Sequence, residues 1–395
     1  ERAFPPRGMS RAMAAFESRR NEIDGPQFAW PIILGYEPWL RFNRVDGYFL
    51  GLGQTLPFSP NLEAEWRAAE PTGLHRIRFR GRLTYRSGPR LTIEGRYARD
   101  ISRRNASTIY PIALNTIPAL LGQADYFDYY WSEGGTLRVG YAFPLFRVAV
   151  EGRMEKHDSV EREVGRSWPF SKQFRPNPTI SEGRLRSLRA TLAAGDGYAP
   201  FRFRPLRRIE VRLEHSSPGV LGSDFDFTRF EVLVDGYLKT FFPSRPRPNG
   251  LDVRIYGGTF RGTLPAQRFG VLDGSLGAFS TLGTFRSVRE RPYEGERFLG
   301  VFWEHDFRTV PFEALGLRAL VDRGTGLRLF GGHGRTWIAA DRLGDLAFVP
   351  RYQDHFHQEL GVSLTNVWGT PLRLDFTTRL DRPGFYVGFG LSRLF

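Results

Sequence analysis

The chain has no cysteine, which removes disulfides, thiolate metal sites and cysteine nucleophiles together. Lysine is nearly missing as well. Lys156, Lys172 and Lys239 are the whole set, so almost all of the +14 net charge rests on arginine. Clustered arginine would suit nucleic acid. Here the arginines recur at strand spacing, which favours side chains facing water or carboxylates, and no nucleic-acid partner is expected. No run reaches the roughly 18–20 apolar residues of a membrane-spanning helix. The nearest, residues 105–124, is uncharged but carries Pro111, Pro118 and several polar residues. The chain opens on Glu1 without an initiator Met or an apolar leader; for an exported protein this implies a mature or trimmed form, and leaves open whether a larger N-terminal part was removed. Gly-x-Ser-x-Gly, phosphate-loop and zinc-helix motifs are lacking, so neither enzymatic activity nor a cofactor is expected.

What is present is rhythm. Aromatics make up 14% of the residues, with 44 glycines and 27 prolines, a composition for many strands and tight turns. In residues 74–86, Ile77, Phe79, Leu83 and Tyr85 alternate with Arg76, Arg78, Arg80, Arg82 and Thr84. Residues 89–99 repeat the pattern, and Ser87-Gly88-Pro89 turns one strand into the other. Further hairpins are predicted at 137–143 with 146–156, 183–194 with 207–215, 228–240 with 251–260, 298–307 with 317–331, and 358–367 with 372–380. A first strand is predicted at 45–54 and a last at 384–395. Connections within hairpins are mostly short and those between hairpins mostly long, the asymmetry of an outer-membrane barrel. The fold class is therefore all-β: a transmembrane, antiparallel, up-and-down barrel of about 14 strands, with 16 as the alternative, short periplasmic turns and long extracellular loops. Residues 1–40 form a separate periplasmic or plug segment with a short helix over 10–20, and residues 41–395 the barrel.

The last strand, GFYVGFGLSRLF, puts Phe385, Val387, Phe389, Leu391 and Phe395 on one face and Gly388 and Gly390 on the other. It resembles the closing strand of bacterial outer-membrane barrels. That resemblance implies that Phe395, Leu391 and Phe389 form the signal read by the barrel assembly machinery. Arg41 to Tyr48 (RFNRVDGY) looks like the fNxVEG strand that opens a barrel domain found behind carboxypeptidase-regulatory-like domains in bacterial surface proteins. Residues 285–307 look like that domain's late segment. They are also similar to the sixth loop and following strand of the surface-antigen barrels, the superfamily of outer-membrane insertases. The superfamily's Arg-Gly-Phe/Tyr loop signature falls near Arg286 to Tyr293 and is not intact.

Charged residues opposite the apolar faces are expected to line the lumen: Arg76, Arg78, Arg80, Arg82, Glu94, Arg96, Arg138, Glu151, Arg153, Glu210, Arg212, Glu304, Asp306, Arg373 and Asp375. They would form either an anion-attracting pore or a lumen cross-braced by Arg–carboxylate pairs. His355 and His357 fall on one strand face without an evident third ligand, so no metal is expected. Residues 125–131 (DYFDYYW) form an acidic aromatic cluster, expected to pack as a loop on itself. Three roles follow in order: a structural anchor or assembly partner in the outer membrane, a passive channel for small anionic solutes, and an insertase-like role in protein or lipid export. The partners implied are outer-membrane lipid and lipopolysaccharide, the assembly machinery, and other membrane or periplasmic proteins.

Overall fold

The computed structural model describes residues 37–391 apart from 105–108, 111, 123, 167–172, 196–205, 243, 246–247 and 277–279. The expected N-terminal helix and Phe395 lie outside the described residues.

Sixteen strands follow one another in an antiparallel sheet, each hydrogen-bonded to its neighbours in chain order. They are β1 (Glu37–Asn43), β2 (Gly47–Ser59), β3 (Leu62–Pro71), β4 (Arg78–Ser87), β5 (Leu91–Arg103), β6 (Tyr129–Ala142), β7 (Arg147–Ser159), β8 (Gly183–Gly195), β9 (Leu206–Ser216), β10 (Phe227–Lys239), β11 (Gly250–Gly262), β14 (Arg297–Arg308), β15 (Gly326–Trp337), β16 (His357–Val367), β17 (Leu372–Arg379) and β18 (Phe385–Leu391). Two three-residue strands, β12 (Gly270–Leu272) and β13 (Tyr293–Gly295), pair with each other inside the connection from β11 to β14. The count is thus the 16 held as the alternative, and the two additions are β1 and β3. β1 carries Pro38, and β3 (LEAEWRAAEP) is built of good helix formers. Pairing on both sides of β3 overrides that preference. One predicted strand is displaced. The residues expected as 317–331 instead form a helical turn at Arg318–Asp322, and the strand runs over Gly326–Trp337.

Two compact units make up the chain: residues 1–200 with 214–227, and residues 201–213 with 228–395. In the first, the segments 44–46, 72–77, 104–128, 160–182 and 217–226 leave one end of the strands, and the tight turns 60–61, 88–90 and 143–146 leave the other. In the second, 263–296, 338–356 and 380–384 share one end, and 240–249, 309–325 and 368–371 the other. Each unit is apolar outside and charged inside. Leu137 is 58% exposed and Phe389 58%, whereas Glu94 is 8% exposed and Asp375 2%. This reverses the arrangement water imposes and matches what a bilayer asks of a strand, apolar toward lipid and polar away from it. Among the described residues no helix is long and apolar enough to cross a membrane.

Candidate functional site

In the first unit the polar face is organised by the turn between β1 and β2. Asn43 Oδ1 accepts the backbone N–H groups of Val45 and Asp46 at 2.9 and 2.8 Å, which closes the turn. Gly47 then adopts φ +68°, and a Cβ there would stand 2.6 Å from Thr72 Oγ1, so the glycine is obligatory on both counts. The turn aims Asp46 at two guanidinium groups. Arg41 Nε donates to it at 3.1 Å and Arg78 Nη2 at 2.5 Å. Asp100 receives Arg41 Nη2 at 2.8 Å and Arg80 Nη2 at 2.6 Å. Arg41, Arg78, Asp46 and Asp100 are all buried, and their pairing answers the cost of removing each charge from water.

Arg44, at the tip of the turn, is fully buried and draws two long connections together. Its backbone N–H donates to Asp125 at 2.9 Å, and its guanidinium to Asp128 at 2.6 Å and Asn177 at 3.0 Å. Its carbonyl accepts the N–H groups of Glu163 and Val164 at 3.1 and 3.0 Å. Arg104 and Arg175 also reach Asp128. Burial alone would raise the Asp128 pKa, but Arg175, Arg104 and Arg44 together hold it well below the ordinary carboxylate range. The RFNRVDGY turn and the acidic aromatic loop, noted in the sequence as separate features, are therefore halves of one cluster. Arg104, Arg175 and Asn177 carried no sequence signal of their own.

Of the charged residues expected inside, the structure brings most into ladders. In the first unit Arg82 pairs with Glu65, and Arg96 with Glu94 at 2.7 Å. Arg153 bridges Glu151 at 2.7 Å and Glu155 at 3.5 Å. Arg138 is half-buried on the same face, in register with Glu94 and Glu151. In the second unit Glu210 receives Arg208 and Arg212. Arg328 joins Glu304 at 3.2 Å to Asp306 at 3.0 Å. Arg76 differs: it lies in the exposed connection before β4, over the Trp131 ring at 5.1 Å. At the last strand, Gly388 pairs with Asp375 on the polar side, while Phe385, Val387 and Phe389 are exposed on the other.

The second unit holds a segment folded against its polar face. Residues 273–276 leave β12 and residues 280–292 lead back to β13. Arg286 at its centre donates to Glu304 on β14 and to Ser363 Oγ on β16 at 2.9 Å, and stands 3.5 Å from Asp375 on β17. Its guanidinium stacks 3.4 Å from the Phe330 ring centre. The backbone N–H groups of Arg286 and Ser287 donate to the two carboxylate oxygens of Glu359 at 2.7 and 3.0 Å. Arg373 reaches the carbonyl of Ser280 at 2.6 Å. Apolar contacts add to this. Phe285 lies 4.8 Å from Phe302 and 4.1 Å from the His357 ring, and a Cβ at Gly334 would come within 2.9 Å of it. Gly332 and Gly334 of β15 are thus sockets for the segment, the close approach that glycine inside a strand often marks.

Ser287, His357 and Glu359 meet within this unit, all buried. In a nucleophilic relay the acid holds one imidazole nitrogen and the hydroxyl the other. Here Ser287 Oγ at 3.0 Å and Glu359 at 3.3 Å both face Nε2, and Tyr293 OH faces Nδ1 at 3.2 Å. The serine hydroxyl donates to Glu359 at 2.5 Å. This geometry differs from that relay, and it fastens the segment to β16. His355 is exposed outside the strand, so the two histidines do not share one environment. Among the described residues no group of three or more His, Cys, Asp or Glu is placed to hold a metal.

No family model matches the chain, and no curated protein matches it. Among solved structures the chain is similar to BamA from Haemophilus ducreyi lacking POTRA domains 1–3. That likeness covers 90% of this chain and 68% of the other at 12% identity, with a TM-score of 0.51. A looser likeness is to CdiB from Acinetobacter baumannii, covering 87% of this chain and 56% of the other at 10% identity, TM-score 0.43. Identity this low speaks to architecture only. The fold is the antiparallel, up-and-down β-barrel type of the BamA structure, built here from 16 strands.

Proposed function

We propose that this chain is an integral protein of the bacterial outer membrane that acts in assembly or export, as an insertase-like barrel, and not as a passive pore or an enzyme. The observation that carries this reading is the segment 280–292, fastened across β14, β16 and β17 by Arg286 and Glu359. Such a clamp covers part of the polar face that an open diffusion channel would leave to solute. The paired ladders around Arg153 and Arg328 support the same conclusion, since their charges are neutralised within the wall. The narrower likeness to the domain behind carboxypeptidase-regulatory-like domains rests on RFNRVDGY, whose Asn43 and Gly47 have clear turn-forming roles. An anchor that only holds a larger complex would share the fold and lack the export role.

Two measurements test this. Purified protein in planar bilayers is expected to show no steady conductance; large, persistent single-channel steps would instead establish the pore. Depletion of the protein from cells is expected to reduce the heat-modifiable, folded fraction of other outer-membrane proteins. Normal assembly in the depleted strain would reject the export role and leave the anchor.

A further inference from the structure

The outward face of the first unit carries a feature that the assembly role does not use. Across β4 to β8 two neighbouring rows of outward residues alternate glycine with large side chains. One row reads Gly81, Tyr97, Gly135, Met154; the next reads Leu83, Gly95, Leu137, Gly152, Leu188. The result is an apolar, open groove of about 1120 Å³. A Cβ at Gly135 would crowd the Arg96 carbonyl at 3.2 Å and one at Gly81 the Phe79 ring at 3.3 Å, but Gly95 and Gly152 are not demanded by the fold. Neither has a positive φ, a Cβ on Gly95 would meet nothing within 4 Å, and one on Gly152 would meet only a Leu188 methyl at 3.8 Å. Glycine weakens a strand interior, so Gly95 and Gly152, in one row with Leu137 between them and without a packing or backbone reason, point to something that approaches the sheet closely.

The rim gives that occupant a charge. The next row, toward the end that bears 104–128 and 160–182, reads Arg99, Glu133, Lys156, Arg184, with Arg186 just below. Glu133 and Asp158 answer part of this, leaving four basic groups against two acidic ones. Arg99, Lys156 and Arg184 are exposed. A basic row above an apolar groove fits an amphiphile with an anionic head and a hydrocarbon body. Resting on the outer-membrane reading, which places the long-connection end in the outer leaflet, we infer that this groove binds one phosphorylated glycolipid of the lipid A type, acyl chain over the glycines and phosphate against Lys156 and Arg184.

The test uses the full chain folded in detergent micelles, with folding scored by heat-modifiable migration, and native mass spectrometry during titration with lipid A. The wild-type protein is expected to retain one lipid A. Gly95→Leu with Gly152→Leu fills the groove and is expected to weaken retention at least tenfold. Lys156→Glu with Arg184→Glu alters only exposed positions, so it folds whatever the groove variant does, and is expected to weaken retention similarly. Unchanged retention in the charge-reversed variant, or in a folded groove-filled variant, would overturn the site while leaving the membrane reading intact. Equal retention of phosphatidylglycerol would overturn the glycolipid assignment. A wild-type chain that never acquires a heat-modifiable fold would reject the membrane reading, and this site with it.

Discussion

Replacing Arg286 by Ala should release the internal segment of the second unit without unfolding its strands. The side chain is buried, with its guanidinium on Glu304, Ser363 and near Asp375 and its plane on Phe330. Removing one partner of a buried ion pair costs about 3–5 kcal/mol when the other is stranded. Here neither carboxylate is stranded. Glu304 keeps Arg328 at 3.2 Å, and Asp375 keeps Arg373 at 3.0 Å and the Ser363 hydroxyl at 2.5 Å. The expected cost is therefore lower, about 2–3 kcal/mol, which at 1.4 kcal/mol per tenfold is roughly a 30- to 150-fold rise in local opening. Hydrogen exchange reads this directly. Amides of residues 284–292 should exchange faster by that factor, while those of β16 and β17 keep their protection. Arg286→Lys retains the charge but not the fork or the flat stack, so it should recover only part of the protection. A change below threefold in Arg286→Ala would refute the claim that this residue clamps the segment.

Three further outcomes follow from the same contacts. Asp128 has a depressed pKa when folded, so its contribution is present above the ordinary carboxylate value and is lost as pH falls through the folded one. Protease resistance of 104–128 should thus hold from pH 7 to 5 and decline below about pH 4, whereas Asp128→Asn should be equally sensitive at both ends. Leu137→Arg places a charge on the exposed face and should cost about 2–4 kcal/mol in urea unfolding from vesicles if the site is near the bilayer centre; an unchanged midpoint would contradict a lipid-facing Leu137. Asp46→Ala leaves Arg41 and Arg78 sharing only Asp100, and should destabilise the first unit by about 3 kcal/mol, measured as a lower urea midpoint.

Much of the wall was legible because lipid on one side and charge on the other impose a period of two, which survives in sequence wherever both faces are populated. It failed where a strand's residues served another purpose. β3 went unrecognised because Ala and Glu, good helix formers, dominate it, and only its neighbours make it a strand. β15 was ended too early at Gly331, because glycine reads as a breaker until Phe285 and Leu272 are seen to need the space over Gly332 and Gly334. The clusters were half legible. Arg44, Asp125 and Asp128 lay in motifs that stood out, yet their union spans more than eighty positions and leaves no local trace. Arg286 stood at the start of a segment that the resemblance marked, but Glu359 carried no signal, and the two become a clamp only in space.

The turn around Arg44 also sets a timetable. It belongs to the first hairpin, whose strands could pair as soon as they meet, yet its buried guanidinium is satisfied only by groups from 125–128 and from Asn177, far later in the chain. Closing contacts of such separation is slow. Until residue 177 arrives, the first hairpin carries a cation that favours water over the interior. Completion of the first unit should therefore proceed backwards, with late connections locking an early turn, and a chain cut before Asn177 should hold its opening hairpin loosely.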